Sequence, residues 1–232
     1  MSANLDILVF GAHPDDAEIG MGGTIAKHTA AGLRVGICDL TQAEMSSNGT
    51  VDLRRKEAEE ASSILGLAVR SNLALKDRGL FMTPEHIDAI TLEIRKHRPR
   101  LVFAPYWQDR HPDHIQCSLL VEQAVFNAKL RKMLPEVPPC SVSQLYFYFI
   151  NDVHKVDVMV DVTETYGHKT ASLRAYRSQF EAPSAENGMV ETPLTQEYVE
   201  RVEARDRLLG QKHHVRYAEG FSSRLPQMVH LF

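Results

Sequence analysis

Along the first half of the chain, short apolar runs alternate with longer stretches in which apolar positions recur at helical spacing. Residues 5–10, Leu-Asp-Ile-Leu-Val-Phe, are almost wholly apolar, as expected of a strand covered on both faces of a parallel sheet. Residues 34–40 and 100–104 read the same way. Between them the spacing predicts helices over 18–31, 52–65 and 84–97, the last opening with Pro84 and closing before Pro99. Alternation of this kind predicts right-handed βαβ units in an α/β fold: a doubly wound, mostly parallel, Rossmann-like sheet between two helical layers. The ligand crevice of such a sheet lies beyond the carboxyl ends of its strands, where the strand order reverses. In the common order that point separates the first and fourth strands, here those ending at Gly11 and Pro105.

The pattern changes beyond Lys132. Residues 133–141 hold three prolines and read as a connector, followed by strands over 144–150 and 156–162. A helix is predicted over 163–180, a polar loop over 181–192 and a charged amphipathic helix over 194–209. With 232 residues, 44% hydrophobic and 24% charged, the chain has the apolar material of one globular domain. A net charge of -4 offers no basic footprint for nucleic acid. Cys38, Cys117 and Cys140 form no CxxC pair and are expected to be buried thiols in a reducing compartment. No leader is visible, and no apolar run approaches the ~18 residues of a membrane span, so the expected location is cytoplasmic, with no membrane partner.

The chemistry concentrates in one tripeptide that occurs twice, as His13-Pro14-Asp15-Asp16 and His111-Pro112-Asp113-His114. Each copy directly follows one of the two strands that flank the crevice. Imidazoles and carboxylates bunched at i, i+3 spacing on two loops suit a divalent cation such as Zn²⁺. Adjacent acids point in different directions, so of Asp15 and Asp16 one can ligate while the other faces the open coordination position as a general base. Spacing alone does not choose between them. His114 mirrors the position of Asp16 at the start of a helix and is the expected third ligand beside His13. His111 is then free to act as an acid or as a cation stabilising an oxyanion, with Asp113 near enough to orient its ring. The glycines Gly11, Gly20, Gly22 and Gly23 do not have G-x-G-x-x-G spacing, so a dinucleotide site is disfavoured. The Gly22-Gly23 pair is expected to let its helix approach the sheet or the metal loop closely.

The segment Gly11-Ala-His-Pro-Asp-Asp-Ala-Glu-Ile-Gly20, with Gly22-Gly23-Thr24 and Arg110-His-Pro-Asp-His114, resembles the zinc-dependent deacetylases of the PIG-L/LmbE family. The resemblance covers most of the chain. It implies hydrolysis of the acetamide of an N-acetylglucosamine conjugate, with one Zn²⁺ on His13, Asp16 and His114, Asp15 as the base and His111 at the oxyanion. It thereby supplies the choice between the two acids. Cys38-Asp-Leu-Thr41, Ser46-Ser-Asn-Gly-Thr50, Leu53-Arg-Arg-Lys-Glu57, Pro193-Leu-Thr-Gln-Glu-Tyr198 and Tyr217-Ala-Glu-Gly-Phe221 resemble the branch that deacetylates N-acetylglucosaminyl malate in bacillithiol synthesis. That implies a dianionic aglycone, with Arg54 and Arg110 as carboxylate clamps and Tyr198 reaching the site from a mobile segment. Some relatives have arginine where this chain has Ser141. The family resemblance also implies a homo-oligomer, trimers pairing into hexamers.

Overall fold

The computed structural model describes residues 4–226 apart from Ala185 and Asn187. Its elements follow the order β1 (Ile7–Gly11), α1 (Asp16–Ala30), β2 (Val35–Thr41), α2 (Val51–Leu65), β3 (Val69–Leu75), α3 (Pro84–His97), β4 (Leu101–Pro105) and α4 (Pro112–Ala128). Then come β5 (Gln144–Tyr148), β6 (Val158–Asp161), α5 (Tyr166–Ala175), α6 (Arg177–Phe180), α7 (Tyr198–Gln211) and β7 (Ala218–Ser222). The strands form one sheet in the order β3-β2-β1-β4-β5-β7-β6. Pairing is parallel from β3 to β5, whereas β7 runs antiparallel to both of its neighbours. The predicted architecture is therefore the observed one, and the order reverses between β1 and β4, as expected.

The apolar runs are covered on both faces. Leu8 and Phe10 pack with Ile90, Ile94, Leu120 and Val121 on the face of α3 and α4. Ile7 and Val9 pack with Met21, Ile25, Leu173 and Val202 on the face of α1, α5 and α7. Side-chain caps start α2 and α3. Thr50 accepts from Leu53 N–H at 3.2 Å to start α2, and Thr83 caps α3 ahead of Pro84. Arg98 takes a left-handed conformation before Pro99 and ends α3. All three cysteines are free and buried.

Two strands escaped the sequence reading. β3 lies at a sheet edge and carries Arg70, Ser71 and Asn72, so it has no apolar run. β7 is wholly buried but reads Ala-Glu-Gly-Phe-Ser, because Glu219 serves an internal ion pair. The helix predicted over 163–180 is broken at Tyr176 (φ -82°, ψ 63°) into α5 and α6, after a 3₁₀ turn at Thr163–Thr165. The last helix starts at Tyr198 rather than 194, since Glu197 is left-handed at φ 52°.

Gly20 and the Gly22-Gly23 pair do allow close packing, but not against the metal loop. A Cβ on Gly20 would collide with the Tyr148 ring, and one on Gly23 would lie 2.8 Å from Val162. Beneath this contact Lys169 Nζ, fully buried, meets Asp206 at 2.7 Å and Glu219 at 2.6 Å. Glu219 also accepts from the N–H groups of Gly23 and Thr24, so the network joins α1, α5, α7 and β7. Removing one member strands a buried charge, so Lys169→Met should destabilise the fold by about 3–5 kcal/mol. Urea unfolding checks this, and an unchanged midpoint would contradict it.

Candidate active site

The two His-Pro-Asp loops meet at the carboxyl ends of β1 and β4. They line a cavity of about 210 Å³ together with Asp77, Arg54, Arg110, Asn151 and Tyr198. Asp16 sits between the two histidines: its Oδ2 is 3.6 Å from His13 Nδ1 and its Oδ1 is 3.2 Å from His114 Nε2. Ring nitrogens of His13, His111 and His114 come within 4.8 Å of one another, and so do donor atoms of His13, Asp77 and Asp113.

The outer nitrogens of both histidines are held by carboxylates. His13 Nε2 is 3.3 Å from Asp77, and His114 Nδ1 is 3.0 Å from Asp109. Each acid is itself fastened. Asp77 accepts from Met45 N–H, and Asp109 accepts from His111 N–H and from the Asn151 amide. This leaves His13 Nδ1 and His114 Nε2 directed toward Asp16, the arrangement in which outer hydrogen bonds fix tautomer and ring plane for a metal. Two imidazoles and one carboxylate are also a donor set that suits zinc. The electrostatics agree. Burial lowers the affinity of His13 for a proton, yet hydrogen bonds to Asp113, Asp16 and Asp77 outweigh it and raise its pKa well above the usual value. His114 is likewise disfavoured by burial but is pushed up to about 9 by Asp16 and Asp109. Against the pull of burial, the two histidines hold Asp16 well below the usual carboxylate range. The pocket thus stabilises positive charge, and a divalent cation fits it.

Asp15 is as buried as its neighbour but differs from it in backbone conformation and in titration. It caps α1 with φ 110°, a strained conformation for any side chain, of the kind that clusters at functional sites. Burial raises its pKa to about 7, opposed by the Arg54 guanidinium and reinforced by Asp16. Arg54 is itself buried. Its Nη2 donates to the Pro14 carbonyl and to Asp15 at 3.1 Å, Nε has no partner, and the guanidinium lies 5.5 Å from the Tyr176 ring.

His111 is the N-cap of α4, and its Nδ1 accepts from Asp113 N–H at 3.2 Å. Asp113 therefore orients that ring through its backbone. Its carboxylate is turned to Arg78 at 2.8 Å and toward His13. The protonation state expected of His111 also changes. Burial and the charges on His114 and His13 lower its pKa to about 4, so near pH 7 it is a neutral donor with its proton on Nε2.

Arg110 Nε donates to Asn151 Oδ1 at 2.9 Å, and the Tyr198 hydroxyl lies 3.2 Å from the same oxygen. Ser141 is exposed and takes no part in the cavity lining. Asp77, Asp109 and Asn151 were not found in the sequence. Asp77 lies in a polar turn and Asn151 just past β5, and neither position differs by pattern from a solvated loop. Asp109, two residues before the second loop, was the one with a positional signal.

The family model PIG-L, GlcNAc-PI de-N-acetylase, matches residues 8–125, and the chain belongs to this family. A diacetylchitobiose deacetylase of Thermococcus kodakarensis is 34% identical over 189 residues, 75% of this chain and 70% of that protein. A probable N-acetyl-alpha-D-glucosaminyl L-malate deacetylase of Bacillus cereus is 27% identical over 76% of this chain and 84% of its own length. Among solved structures, a conserved protein of Thermus thermophilus superposes with a TM-score of 0.89 at 42% identity, covering 97% of both chains. Family and relatives define the class: a deacetylase of N-acetylglucosamine-containing compounds.

Proposed function

We propose that the chain is a zinc-dependent hydrolase that removes the acetyl group from an N-acetylglucosamine conjugate, with N-acetyl-α-D-glucosaminyl L-malate as its substrate. The observation that carries the reaction type is Asp15: a strained, buried carboxyl whose pKa lies near neutrality, directly beside the His13–Asp16–His114 cluster. A base poised near the working pH is what proton abstraction from water needs. The malate reading is supported by the Bacillus cereus relative and by the local sequence of 193–198 and 217–221.

His13, Asp16 and His114 would hold the metal, which supplies Lewis-acid polarisation at the acetyl carbonyl and acidifies water. Asp15 removes the proton of the attacking water as the new C–O bond forms. His111 donates from Nε2 to the oxyanion that develops on the former carbonyl oxygen. Asp15, now protonated, returns the proton to the amide nitrogen as the C–N bond breaks, giving acetate and the free amine. Asp77 and Asp109 keep the two ligand rings in place.

Arg54, with its guanidinium on Asp15 and the Pro14 carbonyl, acts here through the base. Its positive charge lowers the Asp15 pKa, so Arg54→Ala should move the acidic limb of the kcat/KM profile upward by about 1–3 pH units. Arg54→Lys should restore part of the shift. An unmoved limb with a selective loss for the malate conjugate would instead make Arg54 a substrate clamp. The reading as a whole is tested by acetate release from the malate conjugate, diacetylchitobiose and N-acetylglucosamine.

A further inference from the structure

The short helix α6 closes one side of the active-site cavity, and Gln179 is the side chain it contributes there. The break at Tyr176 sets α6 against α2 and the loop of residues 42–50. Gln179 is itself buried, and its carboxamide is tied at one end only. Nε2 donates to the Asn48 carbonyl at 3.0 Å and to Ser178 Oγ at 3.0 Å. An amide nitrogen carries two hydrogens, so both are spent.

The two acceptors are fixed in turn. Ser178 Oγ donates its own proton to Glu57 at 2.7 Å, so toward Gln179 it can only accept. Ser178 N–H donates to the other Glu57 oxygen at 2.8 Å. Asn48 is anchored by its side-chain amide, which pairs with both the carbonyl and the N–H of Val190, at 2.9 and 2.8 Å. A backbone carbonyl and a hydroxyl whose proton is used elsewhere both demand a donor. The nitrogen end of Gln179 must therefore face them, and its oxygen end faces the other way.

Gln179 Oε1 receives no hydrogen bond among the described residues, and it is not one of the unpaired polar atoms sealed from solvent. The space it opens to is the cavity that the residue lines. Other carboxyl and amide groups of that wall are engaged: Asp15 with Arg54, Asp77 with His13 and Met45 N–H, Asn151 Oδ1 with Arg110. A neutral acceptor held in one direction, with no donor of its own, is matched by a hydroxyl group, and the ring of an N-acetyl sugar carries several.

We propose that Gln179 accepts a hydrogen bond from a hydroxyl group of the N-acetyl sugar, with Ser178, Asn48 and Glu57 as the positioning residues that hold its amide. The inference rests on the deacetylase reading above, in which the acetamide lies at Asp15 and His111. A contact away from the scissile amide then fixes how the sugar ring is presented to the base.

The test is acetate release from a parent substrate and from its analogues lacking the 3-, 4- or 6-hydroxyl of the sugar that is deacetylated. The parent is whichever of the malate conjugate, diacetylchitobiose and N-acetylglucosamine the wild type hydrolyses fastest. Gln179→Met should lower kcat/KM for the parent roughly 3- to 10-fold, the scale of one neutral hydrogen bond, with metal content unchanged. For the analogue without the partner hydroxyl, wild type and variant should be equal, while the other two analogues keep the full loss. Ser178→Ala leaves Gln179 in place but frees its amide to turn, and should show a smaller loss with the same dependence on that hydroxyl. An equal loss on the parent and all three analogues, or no loss in either variant, would overturn the contact and leave the deacetylase standing. Failure of the wild type to release acetate from any parent would remove the underlying reading, and the proposal with it.

Discussion

Asp15→Asn should lower acetate release by on the order of 10²-fold or more while the protein keeps its metal. The replacement is nearly isosteric and can still accept from Arg54, so the loop that carries His13 and Asp16 stays in place. What it cannot do is take a proton. In the wild type the charged carboxylate is the base, so activity should rise with pH through the Asp15 titration, and the variant should lose that limb. The stability of the metal-free protein should move the opposite way. The Asp15 pKa is raised from 3.8 to about 7, so its contribution is fully present below 3.8 and is lost as pH rises toward 7. Above that window the buried charge destabilises the native state, and Asp15→Asn should therefore have a higher Tm than the wild type at pH 8. Near-normal turnover in the variant would transfer the base role elsewhere.

The second large effect is expected at the metal ligands. His13→Ala or His114→Ala should remove most of the bound metal and cost on the order of 10³-fold in activity, since Lewis-acid stabilisation amounts to several kcal/mol. The fold should survive both changes, because the strands leading into the loops are buried by apolar contacts on both faces and do not use these rings. Asp77→Asn and Asp109→Asn should weaken metal binding by a smaller factor, roughly 10- to 100-fold, as expected of groups that orient a ligand. Metal content of the purified variants checks the series. Full occupancy in both histidine variants would sink the assignment.

Much of the fold and of the site is legible in the amino-acid sequence. The strands β1, β2 and β4 announce themselves as apolar runs because both of their faces are covered, and Pro84 and Pro99 mark the ends of α3 by local chemistry. Those elements fix the switch point, and the paired His-Pro-Asp loops fall on it. The sequence failed where a residue's partner is remote. Nothing local distinguishes Glu219 in β7 from a surface glutamate, since its meaning depends on Lys169, 50 positions away. Arg54 shows the same limit: α2 brings its guanidinium to Pro14 and Asp15 at the wall of the cavity, and only the packed structure reveals that contact. Asp77 and Asn151 act through side chains on other loops, so their spacing along the chain carries no signature, whereas Asp109 stands directly before the loop it serves.

Whether the two loops form a metal-dependent deacetylase centre is decided by counting metal and acetate on one preparation. Purified protein, the same protein stripped with a chelator, and the stripped protein reloaded with Zn²⁺ are each assayed on N-acetylglucosaminyl malate. About one metal ion per chain is expected on the three ligands, with loss of acetate release on stripping and its return on reloading. Undiminished acetate release from fully stripped protein would contradict it, as would stoichiometric metal with no acetate from this substrate, diacetylchitobiose or N-acetylglucosamine.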